Sequence, residues 1–279
     1  MGNCDKSHRP MLAALLDSQS ETLARKSLKE LKVMNLSTTR TVRELAIEIP
    51  NATRTFEKLG IDYCCGGSKS LSDACLHAHV SVDDVVRALE QGGSFSRTTE
   101  ANLPDFANGE LGNLIEHIVT THHAYVKQEL PRLHQLLAKV VSVHGKTHPE
   151  LAKINQTFQG MSAELTSHMM KEEHILFPYI VALENAVSNG RPKPRPAFGT
   201  VSNPVHMMEL EHDSAGAALK EISTLSSNYD PPEGACFSYR TLYTALKEFE
   251  TDLHQHIHLE NNILFPRAIA MESGVESSL

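Results

Sequence analysis

The chain has 279 residues, enough for one or two domains with substantial cores at roughly 100–200 residues each. A net charge of −8 gives no electrostatic reason to expect nucleic acid, and the absence of any apolar run near the ~18 residues of a membrane span predicts no membrane partner. The five cysteines, Cys4, Cys64, Cys65, Cys75 and Cys236, are odd in number with two adjacent. That pattern is unlike a secreted disulfide framework, so a cytoplasmic chain with reduced thiols is expected.

Residues 1–36 read as a polar, weakly helical extension in which no motif carries recognisable chemistry. From 37 to 93 the pattern predicts a small helical domain. One helix runs from Thr41 to Ile49 and stops at Pro50, and the next from Ala52 to Leu59 stops at Gly60. Two more begin at the capping boxes Ser70-x-x-Asp73 and Ser81-x-x-Asp84. Between the second and third lies Asp62-Tyr-Cys-Cys-Gly-Gly-Ser68, where the glycines are expected to give backbone freedom beside two thiols. Residues 94–109 read as a linker. Four long helical patterns follow at about 110–140, 149–187, 204–226 and 236–272, separated by Pro- and Gly-bearing breaks. The expected fold is therefore all-α, an antiparallel four-helix bundle at 110–272 preceded by the small helical domain.

Sixteen histidines against no tryptophan direct attention to metal binding or proton transfer. The second and fourth long helices repeat: His168-Met-Met-Lys-Glu172-Glu-His-Ile-Leu-Phe-Pro178 aligns with His256-Ile-His-Leu-Glu260-Asn-Asn-Ile-Leu-Phe-Pro266. Residues four apart share a helix face. Here that face is apolar, with Met161, Leu165, Ile175 and Leu176 around the first pair and Phe249, Leu253, Ile263 and Leu264 around the second. Two carboxylates on apolar faces demand cations, because an unpaired buried carboxylate costs several kcal/mol.

The first and third helices supply the remaining candidates. His123 precedes His168 by 45 positions and His212 precedes His256 by 44, whereas His206 breaks this symmetry. Periodicity leaves His122 open beside His123. The candidate ligand set is His123, His168, Glu172, His212, His256 and Glu260. Two carboxylates able to bridge, with imidazoles and open positions, suit a pair of iron ions better than one closed zinc site. His254 and His258 are expected on a solvated surface, His174 either behind the ligands or exposed, and His144 in a loop.

These motifs, with Glu211-His-Asp213 and Leu264-Phe-Pro-Arg267, resemble the iron-sulfur cluster repair di-iron proteins, the repair-of-iron-centres family with a hemerythrin-like bundle. The resemblance spans about residues 37–272, and the family's histidine ligands and bridging glutamates fall on the same six residues. It implies a cytoplasmic homodimer holding two Fe ions in a non-haem centre and serving in the stress response. Its implied task is to restore iron-sulfur proteins damaged by nitric oxide or oxidants, by supplying iron to them. Cys64 and Cys65 are then the candidates for redox or iron transfer. A di-iron nitric oxide reductase, and a sensor binding oxygen or nitric oxide, are the alternative functions that the same residues allow.

Overall fold

Helices account for nearly all the regular structure in the described residues, the one exception being an isolated bridge between Thr41 and Ser70. The computed structural model describes residues 38–49, 51–92 and 106–274. The extension of 1–36 with Cys4, and residues 94–105 of the expected linker, lie outside the described residues.

The small helical unit comprises α1 (Val42–Glu48), α2 (Ala52–Leu59), α3 (Leu71–Ala78) and α4 (Val82–Gly92). Local capping explains where they begin. The Thr41 hydroxyl accepts from the Glu44 N–H while Glu44 reaches back to the Thr41 N–H, and the Ser70 hydroxyl accepts from the Asp73 N–H. Helix α2 ends at Gly60, whose φ of 66° favours a residue without Cβ. Val42, Leu45, Phe56, Ile61, Leu71 and Val85 meet in one apolar core.

The bundle consists of four long helices. The first runs through α5 (Leu111–His117), π1 (Ile118–His123) and α6 (Ala124–His144). The second comprises α7 (Glu150–Lys171), π2 (Glu172–Leu176) and α8 (Phe177–Ser188). The third is α9 (Ser202–Leu225), and the fourth joins α10 (Phe237–Leu259), π3 (Glu260–Leu264) and α11 (Phe265–Ser273). Cross-helix contacts fix antiparallel neighbours: Thr157 bonds Glu221 and Ser214 bonds Glu164, while His122 faces Asp252 and His144 faces Cys236.

Three π-helical turns interrupt the α-helices at His123, Glu172 and Glu260, as such turns often do at functional sites. Pro178 and Pro266, just beyond π2 and π3, each remove one N–H from the helical ladder and loosen the α register. The extra residue of π2 rotates the chain that follows, so that Leu176 and Phe177 both point inward. Ile175, expected on the apolar face, is turned outward and is 53% exposed. Ile263, its counterpart, stays buried because α5 covers π3. The six candidate ligands lie between two apolar clusters. Leu130, Leu165, Leu219 and Leu253 belong to one, and Leu114, Leu176, Val205 and Leu264 to the other.

Candidate metal centre

All six candidate ligands are buried, and their donor atoms form two clusters. One joins His123, Glu172, His256 and Glu260; the other joins His168, Glu172, His212 and Glu260. Each glutamate thus serves both. Glu172 places Oε2 3.4 Å from His123 Nε2 and Oε1 3.3 Å from His168 Nε2. Glu260 places Oε1 3.0 Å from His256 Nε2 and Oε2 3.1 Å from His212 Nε2.

The donor set fits metal ions. His123 and His256 bring their Nε2 atoms to 3.1 Å, and His168 and His212 to 3.0 Å. Adjacent donors around a six-coordinate, octahedral first-row ion with bonds of roughly 2.1 Å are separated by roughly 3.0 Å. Both oxygens of Glu172 and Oε2 of Glu260 are buried without a hydrogen-bond partner among the described residues. Buried carboxylate oxygens left so would be costly, and a cation within each cluster would satisfy them. The protein's own electrostatics point the same way. Burial acts to lower His123, but the carboxylates of Glu172 and Glu260 override it and push the imidazole up to about 10. For His168 the same contest, chiefly with Glu172, ends at about 9. Burial would raise Glu260, yet the surrounding imidazoles hold it well below the ordinary carboxylate range.

Outer contacts orient the imidazoles. His123 Nδ1–H donates to Glu173 at 2.7 Å and His168 Nδ1–H to Glu211 at 2.8 Å, which turns each Nε2 toward the site, where a metal ion would replace its proton. Lys127 and Lys171 bind the same carboxylates from outside. His212 Nδ1–H donates to the neutral Asn261 amide at 2.8 Å. His256 Nδ1 is buried with no partner among the described residues. Phe177 stacks on His123 and Phe265 on His212, closing the site with apolar rings.

The choice left open at residues 122 and 123 has a geometric answer. His123 enters the cluster, while His122 bonds Asp252 at 3.0 Å and stacks parallel to His256. His206 and His174 are exposed, and His144 closes α6 with Nε2 3.1 Å from Cys236 Sγ. The expectation for His254 and His258 fails. His258 is only 6% exposed and packs edge-on to Tyr63, and His254 is half-buried against Glu57. The small helical unit covers this face of α10, a contact between segments almost 200 residues apart.

Cys64 and Cys65 sit at that junction. The Asn262 amide donates to the Tyr63 carbonyl at 2.9 Å and accepts from Arg43 Nε at 2.9 Å, and Asn261 donates to the Cys64 carbonyl at 3.3 Å. A Cβ on Gly67 would collide with the Asn262 carboxamide, and one on Gly66 would lie 2.7 Å from the Asp62 carbonyl. These glycines therefore permit close approach rather than unusual dihedrals, since neither has a positive φ. Asn261 links the thiol loop to the ligand shell, because the same side chain bonds both Cys64 and His212. The roles of Glu173, Glu211, Asn261, Phe177 and Phe265 escaped the sequence, although the residue after each bridging glutamate recurs in register.

Four antiparallel helices closed over buried imidazoles and carboxylates define a cation-binding helical bundle. Comparison with known proteins agrees. The hemerythrin HHE cation binding domain matches residues 114–268, and a domain of unknown function, DUF542, matches 38–92. The iron-sulfur cluster repair protein YtfE of Yersinia pseudotuberculosis is 39% identical over 228 residues, covering 82% of this chain and 96% of that protein. A probable iron-sulfur cluster repair protein of Haemophilus influenzae is 37% identical over 226 residues, covering 81% and 95%. The chain belongs to this family of hemerythrin-type iron-sulfur cluster repair proteins. No helix among the described residues is long and apolar enough to cross a membrane.

Proposed function

We propose that this chain is a di-iron protein that repairs iron-sulfur clusters damaged by nitric oxide or oxidants, by supplying iron to them in the cytoplasm. The observation that carries this reading is the pair of buried donor clusters sharing both Glu172 and Glu260, tied through Asn261 to a loop bearing two thiols. Two iron ions held there would supply changes of valence and exchangeable coordination positions. The residues supply the rest. Glu173 and Glu211 orient His123 and His168 and raise their donor strength. Phe177 and Phe265 exclude water from the imidazole faces. Cys64 and Cys65 are the proposed stations through which iron leaves, thiolate being the ligand that iron meets in a cluster. The partners are damaged iron-sulfur proteins, with nitric oxide or oxygen as small ligands of the centre, and the protein acts as a homodimer.

The test is to load the protein anaerobically, mix it with a [4Fe-4S] dehydratase inactivated by nitric oxide, and follow both activity and iron. Recovery in proportion to iron lost from this chain is expected. Steady production of nitrous oxide over many turnovers, with no iron transferred, would replace donation with nitric oxide reduction.

A further inference from the structure

The Asp62–Cys65 loop carries more metal-binding geometry than a bare thiol pair needs. Cys64 Sγ lies 3.9 Å from Cys65 Sγ and 3.4 Å from Asp62 Oδ1. A tetrahedral ion with bonds of about 2.3 Å to sulfur and about 2.1 Å to oxygen sets S···S at about 3.8 Å and S···O at about 3.6 Å. Both spacings are therefore already those of neighbouring donors around one ion, and all three donor atoms fall within 4.8 Å of one another. We infer that Asp62, Cys64 and Cys65 form a third cation site, distinct from the two histidine–glutamate clusters, for a single thiophilic divalent ion.

The surroundings hold this arrangement in place. The Cys65 N–H donates to Asp62 Oδ1 at 3.0 Å, which turns the carboxylate toward the sulfurs. Gly66 permits that turn, since a Cβ there would lie 3.0 Å from Asp62 Oδ2. Across the junction, Cys65 Sγ faces α9 at Gly216, where even a Cβ would stand at an ordinary contact distance of 3.8 Å. The backbone of the loop is pinned by Asn261 and Asn262. Outside lies a cavity of about 550 Å³ whose wall sets Glu57, Asp62, Asp213 and Glu250 against Lys220 and His254, the last bonded to Glu57. An acidic vestibule of this kind concentrates divalent cations.

Two sulfurs and one carboxylate oxygen make a borderline-soft donor set, suited to Fe²⁺, Zn²⁺ or Co²⁺ and poor for Mg²⁺ or Ca²⁺. Binding replaces the two thiol protons, which pass to solvent, and transfers no electrons. Three donors come from this chain, and the fourth position faces the cavity, where a thiolate of a partner can enter. The site would thus hold an ion between the bundle and an acceptor. Only the identity of the physiological ion as iron rests on the repair function proposed above.

Cobalt tests the site without relying on iron chemistry. Full-length protein with its bundle ions already bound is titrated anaerobically with Co²⁺ alone, and absorption is read for thiolate-to-cobalt charge transfer and tetrahedral d–d bands. One further Co²⁺ per chain is expected, with both features. The double variant Cys64→Ser/Cys65→Ser should lose them while keeping its bundle metal, which shows that it has folded. Asp62→Asn should keep the bands but require at least about tenfold more Co²⁺. The site is overturned if no charge-transfer band develops, if the band survives the double substitution, or if Asp62→Asn binds as tightly as the native chain. Wild-type protein that transfers iron yet shows no cobalt band would remove this site and leave the repair function standing. A cobalt band in protein that transfers no iron would do the reverse.

Discussion

The two halves of the bundle share a plan and differ behind their ligands. In each half a His-x-x-x-Glu pair runs into a π-turn and a Phe-Pro, and the phenylalanine stacks on the histidine of the neighbouring helix: Phe177 on His123, Phe265 on His212. The next residue after the glutamate also plays one role twice, orienting that same histidine. In the first half it is Glu173, charged and backed by Lys127; in the second it is Asn261, neutral and shared with the Cys64 carbonyl. Duplication has preserved the backbone device that aims the ligands. Divergence has left a charged orienting residue in one half and made the other a dock for the thiol loop.

The shared glutamates allow the hardest test of this plan. Because each carboxylate contributes one oxygen to each cluster, Glu172→Ala and Glu260→Ala should each abolish binding of both ions, read as metal per chain by elemental analysis. Retention of one ion in either variant would mean that the two clusters bind independently. The next largest effect concerns the dock. Gly67→Ala forces a methyl group into the Asn262 carboxamide and should lower the free energy of unfolding by about 1–3 kcal/mol, the usual cost of overpacking. Faster proteolysis within residues 38–92 and unchanged bundle metal should accompany it. Loss of bundle metal instead would show that the dock and the centre are one cooperative unit.

Much of this was legible from the chain itself. Proline and glycine breaks delimited the long helices, and the repeat with its 45- and 44-residue offsets selected His123 and His212. Periodicity could not separate His122 from His123, because π1 spans Ile118–His123 and suspends the 3.6-residue period where the choice has to be made. The same physics turned Ile175 outward. The burial of His254 and His258 was hidden for another reason. It depends on contact with residues near Glu57 and Tyr63, and no local pattern encodes a docking partner so distant in sequence.

A smaller effect separates the two orienting residues. Glu173→Gln keeps an acceptor for His123 but removes its charge, so metal affinity should fall by about tenfold, the low end for such outer contacts. Competition with a chelator measures it. The matching change at Asn261, to Asp, should not restore balance between the halves, since it also deletes the donor to the Cys64 carbonyl. An Asn261→Asp protein that held metal more tightly, with the thiol loop still docked, would break the division of roles proposed for the two halves.

The most local effect lies at His258, and hydrogen bonding fixes its sign. Arg43 Nε has only a proton to offer, so the oxygen of Asn262 faces it and the amide nitrogen faces His258 Nδ1 at 2.9 Å. That Nδ1 must therefore be a bare lone pair, and His258 must be neutral. Burial, reinforced by the Arg43 charge, lowers it from its ordinary 6.5 to about 4. Between these values the unfolded chain binds a proton that the folded chain refuses, so stability is present above pH 6.5 and falls as the pH drops toward 4. The slope should approach about 1.4 kcal/mol per pH unit for this one group. Urea unfolding of the native chain and of His258→Gln, compared at pH 7 and pH 5, isolates it, because glutamine keeps an acceptor for Asn262 but does not titrate. In the first half the equivalent position is the exposed Met170, and no such pH dependence arises there. Equal slopes for the two proteins would mean that Asn262 reorients when His258 is protonated, and that the dock survives acid.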